Sequence, residues 1–155
     1  MDFGKRDLKG SPSRDAFKHW HKQQMSQSFY ATDIDLVLVK KWPGSSDRHF
    51  IVAIIDYKQE YDCVSFTEAV FYNACIKMEI PVYIVISDYD SNIDSFGPFE
   101  IQRYIWCDPD PDPPYCELIK IVKNGTEKDF WEWEFNLRNR RAMEVIHGQL
   151  FNDKD

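Results

Sequence analysis

Ile51-Val52-Ala53-Ile54-Ile55-Asp56-Tyr57-Lys58 is the stretch on which the fold turns. Five small or β-favouring apolar residues in succession predict a strand covered on both faces. Side chains alternate along a strand, so Asp56 and Lys58 emerge on one face at its C-terminal end, where the run gives way to polar residues. An acid and a lysine in that position are candidates for a site rather than for packing.

Just upstream, Phe29-Tyr30-Ala31-Thr32-Asp33-Ile34-Asp35-Leu36-Val37-Leu38-Val39 carries a second strand signal. Ile34, Leu36 and Leu38 share one face, and Asp33, Asp35 and Val37 the other. Carboxylates on so apolar a strand are costly unless they bind something or meet water. Residues 40–48, with Pro43-Gly44-Ser45-Ser46, form a turn, so the two strands make an antiparallel hairpin that sets these acids beside Asp56 and Lys58.

Downstream, residues 65–78 read as a helix whose apolar stripe is Phe66, Val70, Ala74 and Met78, with Phe71 and Cys75 adjoining. Glu68 and Tyr72, four apart, stack on one side of it. Pro81 then admits an apolar strand, Val82-Tyr83-Ile84-Val85-Ile86. Strand, helix and strand in that order form a right-handed crossover with parallel pairing. A hairpin joined to a crossover gives an α/β fold, a central mixed β-sheet flanked by helices.

The remainder is read more coarsely. Residues 87–98 are an acidic loop, 99–106 a strand, and 116–122 a short strand. Between these strands, Asp108-Pro109-Asp110-Pro111-Asp112-Pro113-Pro114 is a stiff exposed loop, because proline lacks the donor a central strand needs. Past Asn124-Gly125 two patterns compete. Trp131, Trp133 and Phe135 alternate as a hairpin strand would, while Thr126 with Asp129 resembles a helix start and Phe130, Trp133 and Leu137 keep helical spacing. A helix over about 127–146 is favoured. Arg138, Arg140 and Arg141 near its end suit the helix dipole and could touch a phosphate. At the front, residues 1–12 read as a flexible arm and 13–150 as a single domain. That domain opens with a helix over about 14–25, capped by Ser13 and carrying Phe17, Trp20 and Gln24 along one side.

A chain of 155 residues with 43% hydrophobic content can bury one ordinary core. No stretch approaches the roughly 18 apolar residues that span a bilayer, and no apolar leader opens the chain. Cys63, Cys75, Cys107 and Cys116 form no CxxC pair and are expected to be reduced thiols. The expectation is therefore a cytoplasmic protein, neither secreted nor membrane-bound. The formal net charge of −7 is awkward for a nucleic-acid partner, because grip on phosphates usually comes from a basic surface. Lys5, Arg6, Lys9, Arg14, Lys18 and Lys22 nonetheless cluster early, and a partner subunit can supply the rest.

Carboxylates from neighbouring strands are the ligands that hard divalent cations such as Mg²⁺ or Mn²⁺ take, with water and substrate oxygens completing the shell. A cation so held neutralises charge building on phosphorus, and Lys58 can stabilise the same charge or orient water. The matching reaction is phosphodiester hydrolysis. The order Asp35, Asp56-Tyr57-Lys58, helix, apolar strand resembles the PD-(D/E)xK nuclease superfamily over about residues 14–86. That resemblance implies a restriction-endonuclease-like core, with Asp35 and Asp56 on the metal and Lys58 assisting catalysis. Glu68-Ala69-Val70-Phe71-Tyr72 resembles the Gln-xxx-Tyr helix motif of RecB-type members, implying that Glu68 and Tyr72 lie near the substrate backbone or the lysine. Ile34 stands where the signature has proline, so either Asp33 or Asp35 can be the first ligand. Asp35 is preferred as the deeper in the strand, with Asp33 auxiliary. The first helix lacks the glutamate common in the family, leaving Gln23 or Gln24 to stand in. Two functions follow: a metal-dependent nuclease acting on DNA, as a homodimer or with a partner subunit, or an inactive binding or scaffold protein on the same fold.

Overall fold

Leu36–Lys41 (β1) and His49–Lys58 (β2) pair antiparallel, as the expected hairpin requires. A helix, Phe66–Lys77 (α1), leads to Val82–Ile86 (β3), which lies parallel to β2. Tyr89–Asp90 (β4) and Ser95–Phe96 (β5) form a two-stranded hairpin within the acidic loop. Phe99–Asp108 (β6) and Tyr115–Gly125 (β7) then complete the central sheet, and Glu127–Asn152 (α2) closes the order. The fold is α/β: a five-stranded mixed sheet in the order β1-β2-β3-β6-β7 with, among the described residues from 35 onward, two helices. The computed structural model describes residues 35–42, 44, 48–60 and 62–152, together with Ala16 and Trp20, both helical. The chain divides into two units, Met1–Thr32 and Asp33–Asp155, and every element named above belongs to the second. The arm of residues 1–12, most of the helix expected over 14–25, Gln24 and Asp33 lie outside the described residues.

Each face of the sheet carries its own core. On one, Ile54, Val82, Ile84 and Tyr104 meet Ala69, Tyr72 and Cys75 of α1. On the other, Val52, Ile55, Tyr83, Val85 and Ile101 meet Leu137 of α2, with Phe130 and Trp133 packed against them. Burial on both sides is what the unbroken apolar runs of β2 and β3 anticipate, each such side chain contributing roughly 1.5–3 kcal/mol. Within β2 the alternation is reset. Leu38 faces Ala53 and Val39 faces Ile51, so Val52 is an extra residue, a β-bulge. Val52 and Ala53 therefore both join the α2-side core, while Ile51 is exposed.

The α1 stripe expected to be buried faces out: Phe66, Val70 and Met78 are all exposed. The helix instead buries Ala69, Tyr72, Asn73 and Cys75. Both sides satisfy helical spacing, so periodicity alone does not choose between them. Polar matching does. Asn73 Nδ2 donates to the Cys107 carbonyl (2.8 Å), while its Oδ1 accepts from Cys107 N (3.0 Å) and Tyr104 OH (2.6 Å). A buried amide so fully satisfied fixes the helix rotation, because turning it away would strand those β6 groups.

The C-terminal segment is a helix, not a hairpin. Thr126 N and Oγ1 both donate to Asp129 Oδ2 (2.8 and 3.0 Å), and Asp129 N donates back to Thr126 Oγ1 (3.2 Å), a reciprocal cap. It runs past residue 146, which places Arg138, Arg140 and Arg141 in mid-helix rather than at the negative end of the dipole. Two cysteines also depart from expectation. Cys107 and Cys116 face each other across the β6–β7 ladder and are joined as a disulfide, whereas Cys75 is a buried thiol. Directly opposed antiparallel positions bring two sulfurs within bonding reach, which cysteine spacing in the sequence does not reveal. Among the described residues, no helix is long and apolar enough to cross a membrane.

Candidate functional site

The site sits where β2 and β3 end. Ile54, Asp56 and Lys58 project to the α1 side of the sheet in alternation, the first into the core and the last two at its rim. Asp35 lies one residue before β1, whose first residue Leu36 faces Ile55, so Asp35 is brought to the level of Asp56. Its Oδ2 accepts a hydrogen bond from Tyr57 N (2.8 Å), which anchors an otherwise exposed carboxylate. Beyond Lys58 the chain enters α1 with Ser65 as N-cap. Ser65 Oγ accepts from Glu68 N (3.3 Å), and Glu68 Oε1 accepts from Ser65 N (2.9 Å). This capping box aims Glu68 back at the strand end.

Lys58 Nζ donates to both Glu68 oxygens, at 2.9 and 2.7 Å, and stands 3.3 Å from Asp56 Oδ2. One turn along α1, Tyr72 OH donates to Glu68 Oε2 at 3.4 Å. Tyr72 is itself fixed by edge-to-face packing on Tyr104, with ring centroids 5.6 Å apart. Asp35, Asp56, Lys58, Glu68 and Tyr72 are thus gathered at one place.

Asp56 is the unusual member. Its side chain is buried, and despite the nearby ammonium, Oδ2 has no aligned hydrogen-bond donor. Burial, then hydrogen bonding to the Asp35 and Glu68 carboxyls, pushes its pKa up to about 8; Tyr72 and Lys58 only partly oppose this. For Lys58 burial works toward a lower pKa, but Glu68 and Asp56 outweigh it and hold the ammonium charged above its ordinary value. Burial likewise works against the Glu68 anion. Hydrogen bonds from Asp56, Lys58 and Ser65 reverse that and draw its pKa down to about 2. Burial, followed by the surrounding carboxylate charge, raises the Tyr72 phenol well beyond its usual range. Among the described residues one cation therefore serves three acids, and burial with the neighbouring carboxyls keeps the deepest of them protonated near neutrality.

A hard cation fits this deficit, since it would replace the proton and satisfy the orphaned oxygen. Among the described residues no three acids, cysteines or histidines stand close enough to enclose an ion by themselves. Two carboxylates completed by water and a phosphate are nevertheless the usual protein share of a magnesium shell. Sequence inspection passed over two parts of the site. Ser65-x-x-Glu68 is a legible capping box, whereas the Tyr57 N–H that holds Asp35 is a backbone feature with no sequence signal.

Compared with protein-family models, curated proteins and solved structures, the chain matches none.

Proposed function

We propose that the protein is a metal-dependent nuclease that hydrolyses phosphodiester bonds in DNA, with a restriction-endonuclease-like core of the PD-(D/E)xK type. The observation that carries this is Asp56: a buried carboxyl with an unsatisfied oxygen, crowded by Asp35 and Glu68, beside Lys58 at the C-terminal end of a parallel strand pair. Ligands in open α/β sheets collect at such strand ends. Asp35 and Asp56 would hold Mg²⁺ or Mn²⁺, with Asp33 as a further ligand. When bound, the ion supplies charge neutralisation at the phosphoryl oxygens and makes water at the site more acidic.

The chain's own groups divide the remaining work. Lys58 presents a fixed positive charge for the non-bridging oxygens, where negative charge grows in the transition state. Glu68 holds that ammonium with two hydrogen bonds, so no reorganisation is needed as the reaction proceeds. Tyr72 borders the same carboxylate and limits its movement. The same clamp favours a second reading, a binding subunit on this fold, because a lysine held by two oxygens of one acid is also a stable structural ion pair.

A panel of single-stranded, duplex and branched DNA with Mg²⁺ or Mn²⁺ separates the two. Cleavage by wild type that is lost in Asp56→Ala and Lys58→Ala supports the nuclease. A wild type inactive on every DNA and on RNA with either metal overturns it in favour of the scaffold.

A further inference from the structure

We propose a second ligand site, independent of the acidic cluster and of the nuclease assignment: a cavity between the α1–β3 turn and α2 that binds a small phosphorylated molecule. The cavity, of about 410 Å³, is lined by apolar Ile76, Ile80 and Pro81 together with Tyr83 and three arginines, and Glu79 and Glu144 also border it. Tyr83 belongs to the α2-side core and Ile76 and Ile80 adjoin the α1-side core, so the cavity lies at the N-terminal end of β3, whereas the acidic cluster lies at the C-terminal ends of β2 and β3.

The three arginines that line it are not equivalent. Arg141 is spent on structure: Nε donates to the Val52 carbonyl (3.3 Å), Nη2 to the Glu79 carbonyl (3.2 Å) and Nη1 to Glu144 Oε2 (2.6 Å). It ties α2 to the bulge in β2 and to the turn after α1. Glu144 pairs closely with Arg141 and only loosely with Arg140, whose Nε lies 3.9 Å from Glu144 Oε1, an ion pair beyond hydrogen-bond reach. Besides that loose pair, Arg140 makes one hydrogen bond among the described residues, from Nη2 to Tyr83 OH at 3.3 Å, which leaves the tyrosine's own proton available to an acceptor. Arg103, directly opposite Tyr83 on β6, makes no ion pair among the described residues.

Two guanidiniums with open N–H groups therefore line one concavity in a chain whose net charge is −7. Exposed arginines are ordinarily just solvated. Here an apolar wall adjoins them, and a volume in the range of small-molecule sites gives an organic group somewhere to rest. The planar fork of arginine matches phosphate oxygens in pairs. A phosphate monoester carries about −1.5 to −2 at neutral pH, so it engages both side chains more strongly than a carboxylate can.

Amide chemical-shift titrations of the full chain with inorganic phosphate, 5′-AMP and adenosine test this. Saturable shifts at Ile80, Tyr83 and Arg103 are expected for phosphate and more tightly for 5′-AMP, with none for adenosine. Arg103→Ala combined with Arg140→Ala should weaken binding by about tenfold or more, equivalent to about 1.4 kcal/mol, with an unchanged thermal midpoint. Asp56→Ala should leave it intact. No saturable shift with either phosphate compound, or equal binding in the double variant, overturns the proposal. So does a short DNA strand that shifts these resonances when 5′-AMP does not, since the cavity would then be part of a nucleic-acid surface.

Discussion

Asp56 carries the most direct physical consequence at the residue scale. Its pKa in the folded protein, near 8, lies above the ordinary carboxyl value of 3.8, so the native state binds more protons than the unfolded one between those limits. Stability is then greatest below the lower value and falls as pH rises through the upper one. Metal-free protein in chelator should melt lower at about pH 8 than at about pH 5. Asp56→Asn should flatten that dependence and raise the midpoint at the higher pH by about 4 °C. An unchanged slope in thermal scans of the variant would contradict the crowding described for this carboxyl. Lys58 is tested by kinetics instead. Removing a preorganised charge of this kind typically costs 10²–10³ in rate, so Lys58→Ala should lose about that factor in kcat with the fold retained.

At the scale of elements, α1 positions the site. Ser65→Ala removes the cap and should cost about 1 kcal/mol. It should also lower cleavage, because the first turn that carries Glu68 loses the Ser65 Oγ acceptor for Glu68 N, even though the backbone N–H of residue 65 still donates to the Glu68 carboxylate. Thr126→Ala removes the corresponding cap of α2 at similar cost and should leave cleavage unchanged. Equal activity in the two variants, measured at matched stability, would separate α1 from catalysis. The rotation of α1 makes its own prediction: Val70→Lys, on the exposed side, should change stability by no more than about 0.5 kcal/mol, whereas Ala69→Leu overpacks the core by about 1–3 kcal/mol. Denaturant midpoints decide this. Sequence led to β2 and β3 because continuous apolar runs have few alternatives to a doubly covered strand. It misled on the α1 face because apolar residues surround that helix, and the deciding contact is Asn73 with a strand end 34 residues away. The bulge at Val52 had no signal either, since it exists only in the register with β1.

For the whole molecule, charge sets the condition for function. A net −7 repels DNA, and under the proposed function the acidic cluster would add to that repulsion where the nucleic-acid backbone approaches. Lys58→Ala protein, used to prevent cleavage, should retain DNA in Mg²⁺ and release it in chelator; retention without a divalent ion would show that basic surface elsewhere carries the affinity. That Asp35 and Asp56 stand together was legible from strand order and alternation. Their electrostatic imbalance was not, because it depends on burial and on Glu68 holding the Lys58 ammonium. On the proposed reading, that imbalance is what would draw a cation to the strand end. Titration calorimetry of Mn²⁺ into wild type and into Asp35→Ala with Asp56→Ala tests it most directly. The expected result is one site in the wild type that is absent from the double variant; no binding in the wild type, or the same binding in both, contradicts it.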